Sequence, residues 1–184
     1  MIHRILLATL LAVTSLTTCT AGEANPAFQA RLAGRTAQEN LDWQIAVAAY
    51  TFRQFTFFET VDKVADLGVN LIEGFNFQKI SDDTPGKLNP LTMSDEEMQK
   101  VRDKLRQSGL SLIALYYGSF PADEAQCRTV FERSKELGVK YFVSEPKPEL
   151  LPTLDKLARE YGMIVGLHGH DKKSSPNTWH PELV

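Results

Sequence analysis

The densest chemistry in the sequence is His168-Gly169-His170-Asp171. In extended chain, residues i and i+2 point to one face, so both imidazoles can reach one point, and Gly169 permits a close backbone approach. Two neutral imidazoles with a carboxylate nearby suit a borderline divalent ion. The plainer alternative is a polar loop with two unconnected histidines. Glu145-Pro146 supplies a carboxylate at a strand end, because Pro146 stops the strand from continuing. Glu145 is then a metal ligand, a proton-transfer base, or a solvated charge that begins the next loop. Glu73 ends an earlier apolar run, where it holds a ligand, orients Arg53, or forms a rim ion pair. Arg53 has the planar fork that binds a phosphate or a ligand oxygen, unless it is a simple surface arginine. Tyr50 and Thr51 lie just before it, and Asn76 just after Glu73. Tyr116 and Tyr117 point to opposite faces, so one belongs to the core and the other to the ligand; Tyr117 is assigned to the ligand. Trp179 and His180 either fold over the rim or staple a loop.

These residues are positioned by one repeating unit: an amphipathic helical stretch, a glycine, and a short apolar run. The spacing predicts helices over residues 57–67, 94–107, 122–137 and 151–161, each followed by Gly68, Gly109, Gly138 or Gly162 as a left-handed cap. Ser94-Asp95-Glu96-Glu97 reads as a capping box, and Pro152 is tolerable in a first turn. Strands are expected over residues 44–52, 69–73, 110–117, 139–144 and 163–168, apolar on both faces as buried parallel strands must be. Phe52, Phe55, Phe57 and Phe58 are expected in core and helix packing. Alternation of strand and helix argues for a parallel sheet covered by helices. Thr51-Phe52-Arg53-Gln54 stands where a glycine-rich phosphate loop would follow the first strand, which disfavours a dinucleotide-binding domain. A (β/α)8 TIM barrel with only about five units present is the expected fold, as a partial barrel.

Residues 1–22 read as a secretory signal peptide: Arg4, an apolar run over residues 5–13, then small residues where a peptidase cuts. The apolar run is too short to span a bilayer. Leu16-Thr17-Thr18-Cys19 resembles a bacterial lipobox, although Thr18 departs from the smaller residues usual there, so free export to the periplasm or medium ranks above a lipoprotein. Residues 23–41 form a linker, and residues 42–184 the partial barrel. With Cys19 removed or lipidated, Cys127 has no partner, which excludes a disulfide framework. The balance of 20 basic against 23 acidic residues, with the two signs mixed, builds no basic stripe for nucleic acid. Residues 176–184 read as a loop and the first turn of another helix, so the sequence is expected to be an N-terminal fragment of a longer chain.

The order and spacing of Ala49-Tyr50-Thr51-Phe52-Arg53, of Leu137-Gly138-Val139-Lys140-Tyr141-Phe142-Val143-Ser144-Glu145-Pro146, and of Gly166-Leu167-His168-Gly169-His170-Asp171 resemble the xylose isomerase-like TIM-barrel superfamily. Within this sugar phosphate isomerase/epimerase group, the chain is most similar to an exported bacterial branch with a His-x-His after the fifth strand. The resemblance spans residues 43–184. It implies a divalent metal (Mn, Zn, Co or Mg) at the C-terminal rim and proton transfer between carbons beside a sugar carbonyl. Glu145 and His168 are the candidate catalytic residues and Glu145, His168 and His170 the candidate metal ligands, although the resemblance does not settle which of the three touches metal and which substrate. From their positions at strand ends, Tyr50, Arg53, Glu73, Tyr117 and His170 are candidate contacts to a small sugar or keto-sugar. Two departures stand out. Strands six to eight, which bring further ligands in this group, are absent, and many members carry Glu where this chain has His168. The alternatives are a metal-dependent lyase or hydrolase of keto-sugars or glycosides, and a non-catalytic carbohydrate-binding remnant.

Overall fold

The computed structural model describes Asn40, Leu41 and residues 43–174. The expected signal peptide with Cys19, nearly all of the expected linker, and Trp179 and His180 lie outside the described residues. Five strands form one parallel sheet in the order β1 (Val47–Ala48), β2 (Leu71–Phe75), β3 (Ser111–Tyr116), β4 (Tyr141–Ser144), β5 (Ile164–Leu167). Between them run α1 (Phe57–Asp66), α2 (Asp95–Gln107), α3 (Glu124–Glu136) and α4 (Leu151–Tyr161). Each strand pairs with the next in sequence, so the chain always advances in one direction across the sheet. Right-handed crossovers taken always in one direction place every helix on the same face. A doubly wound sheet would reverse once and cover both faces. The architecture is therefore a partial (β/α)8 barrel.

The core fills the space between the sheet and its helices. Phe57, Val61 and Val64 of α1, Met98 and Val101 of α2, Val130 and Phe131 of α3, and Leu154 and Leu157 of α4 are buried against Ile72, Leu112, Leu115 and Phe142. Cys127 is part of this core, a free thiol donating to Pro121 O at 3.0 Å. Phe57 is fully buried, whereas Phe55 is exposed and carries the Lys63 ammonium 4.2 Å above its ring. On the other face, Tyr141 and Ile164 are exposed.

Local signals act as their chemistry dictates. All four glycines after the helices have positive φ, from 65° to 89°, where a side chain would be strained. Thr56 and Ser94 close reciprocal capping boxes with Glu59 and Glu97. Ser94→Ala removes the acceptor for Glu97 N, held at 3.1 Å. The variant is expected to lower unfolding free energy by about 1 kcal/mol, read as a shifted urea midpoint at unchanged m-value.

Two boundaries differ from the sequence expectation, and both move candidate site side chains. The first strand keeps only Val47 and Ala48, paired to Ile72 and Glu73. Beyond them the chain closes into a 3-10 turn over Ala49–Phe52, with Arg53 N bonded to Tyr50 O at 3.1 Å and Phe55 N to Phe52 O at 2.9 Å. Tyr50 and Arg53 thus belong to a turn, not to a strand. The second strand continues past Glu73 to Phe75, because Gly74 and Phe75 keep their partners Leu115 and Tyr116 on β3. Gly74 also lets the following loop pack closely, since a Cβ there would lie 2.6 Å from Leu88 Cδ2.

Candidate metal centre

Glu145, His168 and His170 meet just beyond the C-terminal ends of β4 and β5. Glu145 follows β4 directly, its N–H bonded to Gly118 O at 2.9 Å, and His168 follows β5, its N–H bonded to Ser144 O at 2.8 Å. These bonds carry strand pairing one residue past each strand and fix where both side chains leave the backbone. His170, two residues on, returns to the same side. Each of the three residues offers one ligand atom, and all three atoms lie within 4.8 Å of one another. The tightest pair is His170 Nε2 and Glu145 Oε1 at 3.0 Å. The two imidazole centres are 4.7 Å apart, with their planes nearly perpendicular.

Two imidazole nitrogens and a carboxylate oxygen form a donor set that holds a borderline divalent ion. An ion bonded at about 2.1 Å by each ligand keeps its ligand atoms about 3–4 Å apart. The observed spacing needs only a small side-chain adjustment to reach that, so these residues fit a metal.

The surroundings of Glu145 favour its ionised form. Burial pushes Glu145 upward, but the Tyr116 hydroxyl and the His170 ring beside it outweigh that, and the group sits below the ordinary glutamate value. Tyr116 donates to Glu145 Oε1 at 2.5 Å. Burial and the Glu145 carboxylate raise the phenol to about 12, so Tyr116 remains a hydrogen-bond donor at neutral pH. Such a donor orients a ligating carboxylate. Tyr116→Phe should weaken divalent-ion binding by about 10-fold or more while leaving the unfolding midpoint nearly unchanged, a pair of results read by calorimetry and by urea titration.

Tyr117, the tyrosine assigned to the ligand from the sequence, lies elsewhere. It is 3% exposed and packs against Phe120 and Phe142, with its hydroxyl donating to Asn89 Oδ1 at 3.2 Å. The structure brings Tyr116 to the cluster instead. A bulge in β3 is the physical reason: Ile72 pairs with Leu112 but Glu73 pairs with Ala114, leaving Ile113 extra. Strict alternation from the core residue Leu112 would send Tyr116 into the core and Tyr117 out of it.

From the cluster, aromatic rings continue along the open face. His168 meets Tyr116 at 5.6 Å, Tyr116 meets Phe75 at 5.2 Å, and Phe75 meets Tyr50 at 5.4 Å. The Arg53 guanidinium lies 5.0 Å from the Tyr50 ring centre. Phe77, not singled out from the sequence, joins through Phe75 at 5.4 Å and is about half exposed. Glu73 sits on this face too, in register between Ala48 and Ala114, and burial raises its carboxyl above the ordinary value. Of the alternatives for Glu73, a pairing with Arg53 does not form among the described residues. Asp171 turns away, accepting the N–H groups of Lys173 and Ser174 at 2.8 and 3.1 Å.

Neither a protein-family model nor a curated protein matches the sequence. Among solved structures, the chain is similar to an uncharacterised protein from Parabacteroides distasonis, with a TM-score of 0.62 at 27% identity over 70% of this chain and 54% of that one. It also shares its fold with a sugar phosphate isomerase/epimerase from the same organism, with a TM-score of 0.51 at 14% identity over 71% of this chain and 52% of that one. The chain thus spans about half the length of the structures it matches.

Proposed function

We propose that this chain carries the metal-binding and substrate-binding face of an exported sugar isomerase or epimerase of the xylose isomerase-like superfamily. The observation that carries the reading is the convergence of Glu145, His168 and His170 at the C-terminal strand ends, the edge where barrel enzymes do their chemistry. The shared fold with a sugar phosphate isomerase/epimerase supports the reaction class. Two imidazoles out of three ligands favour Zn²⁺ or Co²⁺, then Mn²⁺, over Mg²⁺, which prefers oxygen. When bound, the ion supplies Lewis acidity to a substrate carbonyl. The chain's own residues do the rest: Glu145 and the two imidazoles hold the ion, Tyr116 fixes the carboxylate, and the open aromatic face from Tyr50 to Phe77 receives a sugar ring. The reading of residues 1–22 as a secretory signal supports a reaction outside the cytoplasm, on an unphosphorylated sugar or keto-sugar.

The test is proton exchange. The full chain, with Zn²⁺, Co²⁺ or Mn²⁺, is incubated in D2O with D-fructose, D-tagatose, D-xylulose or L-ribulose, and the C–H signals beside the carbonyl are followed by ¹H NMR. Metal-dependent loss of one such signal, abolished by a chelator, is expected. No exchange from a chain with its metal bound would contradict the proposal.

A further inference from the structure

Resting on that reading, we propose that Glu73 is the group that carries the proton during the reaction. It lies on the open face of the sheet, on the same side as Tyr116, in a strand two positions across from the one that delivers Glu145. Its register partners are Ala48 on β1 and Ala114 on β3. Short alanine side chains, not bulky ones, therefore border the carboxyl on both sides along the sheet. Glu73 is half-buried and has no hydrogen bond or ion pair among the described residues. A carboxylate that serves only structure is normally paired when burial removes it from water.

Burial alone raises the Glu73 carboxyl above the ordinary glutamate value. The Glu73 charge in turn helps to raise the Tyr116 phenol. A half-buried carboxyl on an open face, with no partner to hold its charge, is suited to exchanging a proton with a ligand.

In the step assigned to it, the Glu73 carboxylate forms an O–H bond with the proton leaving the carbon beside the carbonyl. The C–H electron pair becomes a C=C bond, and the carbonyl π pair moves onto oxygen, giving an enediolate. Glu73 then returns the proton to the adjacent carbon while a hydroxyl proton passes from one oxygen to the other through solvent. Protons and electrons balance without a further reactant.

The experiment compares the full chain with Glu73→Gln and Glu73→Asp. Co²⁺ affinity is measured by calorimetry, and deuterium exchange into the four ketoses by NMR. The side-chain carboxyl titration is measured by ¹³C NMR of glutamate-labelled protein. The expected result for Glu73→Gln is unchanged Co²⁺ affinity with exchange reduced about 10²–10⁴-fold, and partial exchange for Glu73→Asp. One carboxyl resonance should titrate above the others and vanish in Glu73→Gln. Undiminished exchange in Glu73→Gln overturns this proposal and leaves the metal-isomerase reading standing. A Glu73 resonance that titrates with the exposed glutamates overturns it too, as does a loss of Co²⁺ affinity in Glu73→Gln, which would make the residue structural. No exchange by the metal-bound parent chain overturns the isomerase reading and this proposal with it.

Discussion

His168→Ala will lower the affinity of the chain for Zn²⁺ or Co²⁺ at least about 100-fold, and Glu145→Ala will do the same. Changes to residues that only orient a ligand cost 10–100-fold, so removing a ligand outright must cost more. Glu145 carries the larger burden, since its Oε1 meets both the Tyr116 hydroxyl and His170 Nε2. Its loss also frees those two groups to move. The sign of the pH dependence follows from the donor set. Both imidazoles must be neutral to bind, so metal uptake releases protons and weakens on acidification. Glu145 adds little to this trend near neutral pH, because its carboxyl sits below the ordinary glutamate value and stays ionised there. Calorimetry in buffers of different ionisation enthalpy reads both the affinity and the proton release.

Phe142→Ala will destabilise the fold by about 3–5 kcal/mol, the cost of emptying a large apolar site that neighbours cannot refill. Phe142 is fully buried in the centre of β4, with ring centres of Phe131 at 4.9 Å, Phe120 at 5.2 Å and Tyr117 at 6.4 Å. That cluster ties β4 to α3 and to the segment after β3. It therefore also fixes Glu145, three residues along. Urea unfolding should show the loss, and Co²⁺ affinity measured at low temperature, where the variant is still folded, should fall with it. A loss below about 1 kcal/mol would mean that this cluster does not hold the strand.

The parts of this fold that were legible in the sequence are those that local chemistry decides. A glycine after each helix, a capping box at Ser94 and doubly apolar strands need no tertiary knowledge, and they gave helices within a residue or two of those observed. The histidine pair was legible because its spacing equals the strand period. What stayed hidden depends on pairing between strands. Nothing in Ser111-Leu112-Ile113-Ala114-Leu115-Tyr116 announces that Ile113 is the extra residue of a bulge, and that single residue decides which of two adjacent tyrosines meets Glu145. Likewise, the length of the first strand is set by how far β2 offers it partners, so the turn that carries Tyr50 and Arg53 could not be read from apolar pattern alone. Phe77 escaped notice for a similar reason: only the packing of the loop after β2 places its ring beside Phe75 and Tyr116.

The most direct measurement is a calorimetric titration of the full chain with Zn²⁺, Co²⁺ and Mn²⁺ near neutral pH. A metal centre built from Glu145, His168 and His170 predicts one ion bound per chain, tighter for Zn²⁺ and Co²⁺ than for Mn²⁺, with protons released on binding. No binding by the folded chain, or binding that survives replacement of all three residues by alanine, would contradict it.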